Sequence, residues 1–295
     1  MFPIHYIDPV FRPPSEARSL ILQVTNGCSY NNCTFCTMYT APQKKFSIKK
    51  SEELRTELEN IAIRFSQVHR VFLADGDAMT LSFRRLDEIL DLINHYLPDL
   101  NRVSAYCLPR NLKNKSIEEL RILKEKGLKL VYVGAESGDD RVLTKVVKGE
   151  TYDSTLEALL KLKAAGIKAS VMVLNGLGGK RYSEQHAINS ARLVSEAQPE
   201  YLSTLVLTMR DEQRFLAGFD GDYEPLNSLE LIQEMKTFIG HCELSSTIFR
   251  SDHASNHLVL KGVLGKDKAT ILARIEQALN APNSGLLRPE WARGF

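Results

Sequence analysis

The feature of this chain that most restricts its fold is an alternation. Short apolar runs recur from residue 20 onward, and an amphipathic stretch separates most of them from the next. The runs are Leu20–Val24, Val71–Ala74, Arg102–Tyr106, Leu130–Gly134, Ala169–Leu174 and Leu202–Leu207. They are short and rich in Val, Leu and Ile, as strands covered on both faces are. The stretches Ser51–Phe65, Phe83–Tyr96, Ser116–Lys126, Tyr152–Ala165 and Glu184–Ala197 carry helical periodicity instead. Ser116 followed by Glu119 has the spacing of a capping box. Gly127 and Gly166 stand where a helix ends on a left-handed residue.

Strands alternating with helices in this way imply parallel pairing and right-handed crossovers. An open doubly wound sheet and a barrel both satisfy the pattern, and six units fall short of the eight of a complete barrel. Residues 1–18 hold Pro3, Pro9, Pro13 and Pro14 and read as an extended N-terminal arm. Residues 19–207 carry the rhythm. Beyond them, residues 208–226 are polar and aperiodic, Ser228–Ile239 and Lys266–Leu279 read as helices, and Thr247–Phe249 as a short strand. Residues 208–295 are therefore expected to form a C-terminal α/β extension capping the rest.

Length and composition exclude several classes. The 295 residues suffice for one large α/β domain with a modest extension. A 43% hydrophobic and 25% charged composition is that of a folded chain rather than a disordered one. Its 38 basic and 36 acidic side chains leave a net charge of +2, which makes no electrostatic case for a nucleic-acid or membrane-surface partner. No apolar run approaches the roughly 18 residues of a membrane span. Met1–Tyr6 lacks the basic-then-apolar pattern of a secretory signal, so the expected compartment is the cytoplasm.

Chemistry concentrates in Cys28-Ser29-Tyr30-Asn31-Asn32-Cys33-Thr34-Phe35-Cys36, which follows the first apolar run. In parallel α/β folds the loops after strands build the active site. Of the five cysteines, three lie in these nine residues. In a reducing compartment that pattern points to a metal or cluster rather than to disulfides. Three thiolates are one short of the four that fill an iron–sulfur cluster, and an open iron suits reactive use. A structural zinc site usually pairs two Cys/His hooks, and His241-Cys242 lacks hook spacing. On residue types alone, a cluster, a zinc site and buried thiols all stay open.

The segment resembles the signature of the radical S-adenosylmethionine superfamily, whose usual spacing is Cys-x3-Cys-x2-Cys. Here one residue is inserted, giving Cys-x4-Cys-x2-Cys. Further segments resemble superfamily motifs at successive strand ends. They are Ala74-Asp75-Gly76-Asp77, with one glycine of a Gly-Gly-Glu motif, then Gly134-Ala135-Glu136-Ser137-Gly138, and then Leu174-Asn175-Gly176-Leu177-Gly178-Gly179. Singly, Asp75-Gly76 and Gly178-Gly179 read better as plain turns; their joint placement at successive strand ends carries the resemblance. The resemblance implies a partial (β/α)6 TIM-like barrel. Cys28, Cys33 and Cys36 would ligate a [4Fe–4S] cluster, and S-adenosylmethionine would chelate its open iron. Phe35, Asp75, Gly76, Asp77, Glu136, Ser137, Asn175 and Leu177 would line the cofactor. The implied reaction is reductive cleavage to a 5′-deoxyadenosyl radical, which abstracts hydrogen from an unidentified small molecule or peptide. A flavodoxin- or ferredoxin-type donor would supply the electron. A non-catalytic iron–sulfur carrier is the alternative.

Three further residues are candidates for catalysis. Cys107 ends the third run, and Arg110 follows in the same loop, where it can pair with a carboxylate. His253 lies in Phe249–His257, which reads either as a substrate loop or as a polar surface turn. Cys242 reads as structural.

Overall fold

The computed structural model describes residues 4–65 and 67–294, so Pro3 of the predicted arm lies outside the described residues. Nineteen α-helices and β-strands follow one another in chain order among the described residues. They begin with β1 (Leu20–Gln23), β2 (Thr25–Asn26), β3 (Ser47–Ile48), α1 (Ser51–Arg64), β4 (Arg70–Ala74), α2 (Phe83–Tyr96), β5 (Arg102–Cys107) and α3 (Ile117–Glu125). They continue with β6 (Leu128–Glu136), α4 (Asp140–Lys145), α5 (Tyr152–Ala165), β7 (Lys168–Asn175), α6 (Gly179–Ala197) and β8 (Tyr201–Val206). The last are α7 (Glu212–Ala217), α8 (Ser228–His241), β9 (Thr247–Ser251), β10 (Leu260–Leu264) and α9 (Lys268–Asn280).

The protein is an α/β fold built on a mostly parallel sheet. Its eight strands run in the order β1-β4-β5-β6-β7-β8-β9-β10, with no closing pair between the two ends among the described residues. The chain divides into two compact units. One comprises residues 1–31, 38–133 and 160–169, and the other residues 32–37, 134–159 and 170–295.

In the first unit the strands behave as doubly covered strands should. Val71, Phe72, Leu73 and Ala74 of β4 are all buried, and β4 pairs in parallel with β1 on one side and β5 on the other. Helix α2 buries Leu86, Ile89, Leu90 and Ile93, one face of a 3.6-residue repeat. Ser82 caps its start by accepting from the Arg85 amide at 3.2 Å. At α3 the predicted capping box is present: Ser116 Oγ accepts from the Glu119 amide at 3.1 Å, and Glu119 Oε2 accepts from the Ser116 amide at 2.7 Å. Gly127 has φ 109° and Gly166 φ 76°, as the helix ends require. The arm docks through Glu16, which is fully buried. Its Oε1 accepts from Arg102 at 2.7 Å and from the Tyr132 hydroxyl at 2.6 Å.

The second unit departs from the sequence expectation in several places, one of them the short helix α4 at Asp140–Lys145. Helix α6 starts at Gly179 rather than Glu184, because Gly179-Lys180-Arg181-Tyr182-Ser183 holds one aromatic among glycine, charged and polar residues and so shows no apolar period. The aperiodic stretch 208–226 contains α7, which buries Phe215. The strand after Leu258 was not expected. In the structure β9 pairs in parallel with β8, and β10 pairs antiparallel with β9, so residues 247–264 extend the sheet itself. Among the described residues, no helix is long and apolar enough to cross a membrane.

Candidate functional site

The sequence-predicted site residues fall at the C-terminal ends of strands, and each unit holds part of them. In the first unit the segment after β4 is bound to the segment leading into Cys28. The Gly76 amide donates to the Gly27 carbonyl at 3.0 Å, and the Gly27 amide donates to Asp75 Oδ2 at 3.3 Å. Gly76 must be glycine here. A β-carbon would stand 2.7 Å from the Tyr39 ring and 2.9 Å from the Gly27 carbonyl oxygen.

Asp75 is fully buried and ion-paired with Lys44, whose ammonium also donates to the Ile7 carbonyl at 2.8 Å. Burial pushes the Asp75 carboxyl above its ordinary range, and the Lys44 ammonium opposes that rise. Asp77 is equally buried and accepts from the amide of Ser29, beside Cys28, at 3.0 Å and from the Ser29 hydroxyl. Its carboxyl is also pushed up by burial, with Ser29, Asn111 and Arg110 acting against the shift. The two carboxylates thus hold the residues flanking Cys28.

Arg110 lies with its guanidinium 3.8 Å from the centre of the Tyr30 ring, a stacked cation–π contact. Cys107 is buried at the end of β5. Lys115, in the same unit, donates to the Met79 and Asn111 carbonyls at 2.9 Å each. Burial lowers its amine below the usual lysine range, and the neighbouring Cys107 acts against that shift.

In the second unit the Cys33–Cys36 end is fastened to the turn after α4. The Thr34 amide donates to the Val146 carbonyl at 3.0 Å, and Arg214 donates to the Cys36 carbonyl at 3.3 Å. Phe35 packs against a core of Val142, Val146, Leu174, Leu177, Phe215 and Phe219. Two residues beyond Val146 comes Lys148, to which the sequence motifs assigned no role. It is buried, its ammonium lies 3.3 Å from Glu136 Oε1, and it stands 5.9 Å from the Phe35 ring centre. Burial opposes its charge. The Glu136 carboxylate and the Cys33 and Cys36 sulfurs together hold the ammonium above the usual lysine range.

The Gly134–Gly138 motif has a steric basis. Glu136 adopts φ 65°, and its carboxylate lies back over Gly134. A β-carbon at Gly134 would lie 2.0 Å from Glu136 Oε1. At Gly138 a β-carbon would meet the Asn189 carbonyl oxygen of α6 at 2.3 Å. Between them, Ser137 Oγ lies 2.7 Å from His186 Nδ1 and accepts from the Asp139 amide at 2.9 Å. Glu136 Oε2 is buried without a hydrogen-bond partner among the described residues. A buried acceptor in that state costs free energy unless a donor arrives.

Asn175 donates through its side chain to the Leu231 carbonyl at 3.0 Å, and Leu177 is fully buried. His253 lies on the turn that follows β9. Its Nδ1 is 2.9 Å from Ser255 Oγ, and its carbonyl accepts from Arg288 at 2.9 Å. Arg288 also holds the Ala254 and Asn256 carbonyls, and Arg293 holds that of Ser255. Cys242 caps α8, and burial pushes its thiol up to about 12.

None of the five cysteines is in a disulfide. Cys28, Cys33 and Cys36 are half-buried, but among the described residues no three Cys, His, Asp or Glu side chains gather as a metal-ligand set. The donor chemistry nonetheless fits an iron–sulfur cluster with S-adenosylmethionine. Three thiols share one segment, a buried ammonium faces two of them, and a buried carboxylate oxygen lacks a donor.

These features define an α/β protein with a cysteine segment after its first two strands and glycine-flanked polar motifs after later ones. The chain belongs to the radical SAM superfamily, whose model matches residues 22–194. That family uses a [4Fe–4S] cluster and S-adenosylmethionine. Over 142 residues the chain is 25% identical to the heme chaperone HemW of Bacillus subtilis, a match covering 47% of this chain and 38% of HemW. The radical S-adenosylmethionine methyltransferase TsrM of Kitasatospora setae, solved with cobalamin and a [4Fe–4S] cluster, aligns with a TM-score of 0.51 at 20% identity. That alignment covers 64% of this chain and 36% of TsrM. Methylornithine synthase, PylB, aligns with a TM-score of 0.52 at 17% identity, over 88% of this chain and 81% of its own. This chain therefore spans well under half of HemW and of TsrM, and the structural likenesses are likenesses of fold.

Proposed function

We propose that this protein is a radical S-adenosylmethionine enzyme acting on a small-molecule or peptide substrate. Cys28, Cys33 and Cys36 would hold three irons of a [4Fe–4S] cluster, and the cofactor's methionine amine and carboxylate the fourth. When bound and reduced, the cluster supplies the electron that breaks the S–C5′ bond of S-adenosylmethionine. The chain's own residues bind and orient. The backbone of Asp75, Gly76 and Asp77 faces the methionine amine. Glu136 and Ser137 take the ribose or methionyl groups. Phe35 and the backbone of Asn175 and Leu177 flank the adenine. Arg110 and Cys107, at the end of β5, are the substrate-side candidates, with His253 a third. A flavodoxin- or ferredoxin-type protein would act as reductant, and residues 208–295 would cap residues 19–207.

The observation that carries this reading is the oxygen Glu136 Oε2, buried with no donor among the described residues. Ammonium and ribose hydroxyl groups of the cofactor are donors of the kind it lacks. Anaerobic reconstitution with iron and sulfide, then incubation with S-adenosylmethionine and dithionite, tests the proposal. Formation of 5′-deoxyadenosine supports it.

A second reading follows from the similarity to HemW, which is named a chaperone rather than a catalyst. The protein would then be a non-catalytic carrier that keeps the superfamily's fold. Protein with a full cluster that binds S-adenosylmethionine yet releases no 5′-deoxyadenosine would favour that reading.

A further inference from the structure

The loop from Asn175 to Gly179, which the proposed reading sets beside adenine, takes much of its side-chain anchoring from residues 223–234. The Gly176 amide donates to Glu234 Oε1 at 2.6 Å, and the Gly176 carbonyl accepts from the Tyr223 hydroxyl at 2.9 Å. Its φ of 85° and the Leu231 side chain, 2.9 Å from where a β-carbon would stand, make this position glycine's alone. The next turn is held the same way, the Lys180 amide donating to the Glu224 carbonyl at 2.9 Å.

Glu234 itself sits in a network. Its Oε2 accepts from the Ser183 hydroxyl at 2.6 Å, and His186 Nε2 lies 3.9 Å from its Oε1. His186 Nε2–H donates to the Leu174 carbonyl at 3.0 Å. In the neutral imidazole that leaves Nδ1 to accept from Ser137. Burial raises the Glu234 carboxyl, while His186, Ser183 and the Gly176 amide oppose the rise. A buried carboxylate with three neighbours of this kind is an unusual expense if α8 merely covers the sheet, since an apolar residue would cover it without desolvation cost.

We infer that Glu234 and Tyr223 are positioning residues for the cofactor: they grip both sides of the Gly176 peptide and fix the adenine-side loop. His186 couples that loop to Ser137 of the ribose-side motif. This inference rests on the proposed radical S-adenosylmethionine reading and deepens it. It makes the C-terminal segment part of the cofactor site as well as a cap. Neither side chain touches the cofactor; both act through the Gly176 backbone.

The test uses full-length protein with its cluster reconstituted, comparing wild type with Glu234→Gln and Tyr223→Phe. Tyr223→Phe removes one hydroxyl and keeps the ring, so it remains informative if Glu234→Gln folds poorly. Each variant is expected to raise the S-adenosylmethionine dissociation constant by about tenfold, the scale of one lost positioning hydrogen bond. Iron content stays at the wild-type level. At saturating S-adenosylmethionine the reduced cluster keeps the wild-type change in its electron paramagnetic resonance signal, because the methionine end is untouched. Amide hydrogen exchange at Gly176 and Leu177 quickens in the apoprotein. Wild-type affinity in both variants, or loss of iron in Tyr223→Phe, would overturn the inference and leave the radical reading standing. A wild-type protein that carries the cluster but does not bind S-adenosylmethionine would overturn both.

Discussion

Glu136 lies with its carboxylate folded over Gly134, in space that a β-carbon on that glycine would occupy at 2.0 Å from Oε1. The left-handed backbone of Glu136 turns the side chain back along its own strand, and only glycine two positions earlier makes room. That geometry delivers Oε1 to Lys148 and leaves Oε2 buried. Gly134→Ala is therefore expected to displace the carboxylate and to destabilise the fold by about 1–3 kcal/mol, the usual cost of overpacking. Urea unfolding of the apoprotein measures it; an unchanged midpoint would mean that the carboxylate does not occupy that space.

Removing one member of the buried Lys148–Glu136 pair strands the other. Lys148→Met is expected to cost about 3–5 kcal/mol, because it leaves a buried carboxylate without its cation. In the double variant Lys148→Met with Glu136→Gln the loss should be smaller than the sum of the single losses, since no uncompensated charge remains. Strict additivity in thermal or urea unfolding would show that the two groups do not interact.

Cluster ligation gives a prediction that needs no substrate. Cys28→Ala, Cys33→Ala and Cys36→Ala should each lose the intact cluster after anaerobic reconstitution. Cys107→Ala and Cys242→Ala should each retain about four irons per chain, the content of one [4Fe–4S] cluster. Iron and sulfide analysis with visible absorption reads the outcome. Loss of the cluster in Cys107→Ala would mean a fourth protein ligand, and no open iron.

Glu136→Gln keeps the shape of the side chain and removes its charge. Loss of one charge-assisted hydrogen bond to the cofactor would weaken S-adenosylmethionine binding by roughly 1.5–3 kcal/mol, about ten- to hundredfold. Calorimetric titration of the reconstituted protein measures it, with iron content as the control. Unaltered affinity at full iron content would remove Glu136 from the cofactor site.

Ser116→Ala provides a contrast far from any of these motifs. It breaks the capping box at α3 and is expected to lower stability by about 0.5–2 kcal/mol. Affinity for S-adenosylmethionine should not change. A fall in that affinity would show that general loss of stability mimics the site effects predicted above.

Much of this protein is written locally along the chain. Doubly buried strands such as β4 read directly as apolar runs, and α2 as a 3.6-residue repeat, because burial on two faces or on one stripe leaves a pattern in neighbouring residues. Ser116 with Glu119, and Gly127 and Gly166, mark helix ends through contacts a few residues long. The cysteine segment and the glycines at 134, 138 and 176 were likewise visible as motifs. Tertiary structure alone decided what fills the space those glycines leave. Lys148 meets Glu136 across a turn that no periodicity announces. Glu234 reaches the Gly176 amide from 58 residues further along the chain. The strands β9 and β10 join the sheet from a region that lacked the β/α rhythm. Each of these depends on where distant segments come to lie, and a buried charge carries no local signature that distinguishes it from a solvated one until its partner is in place.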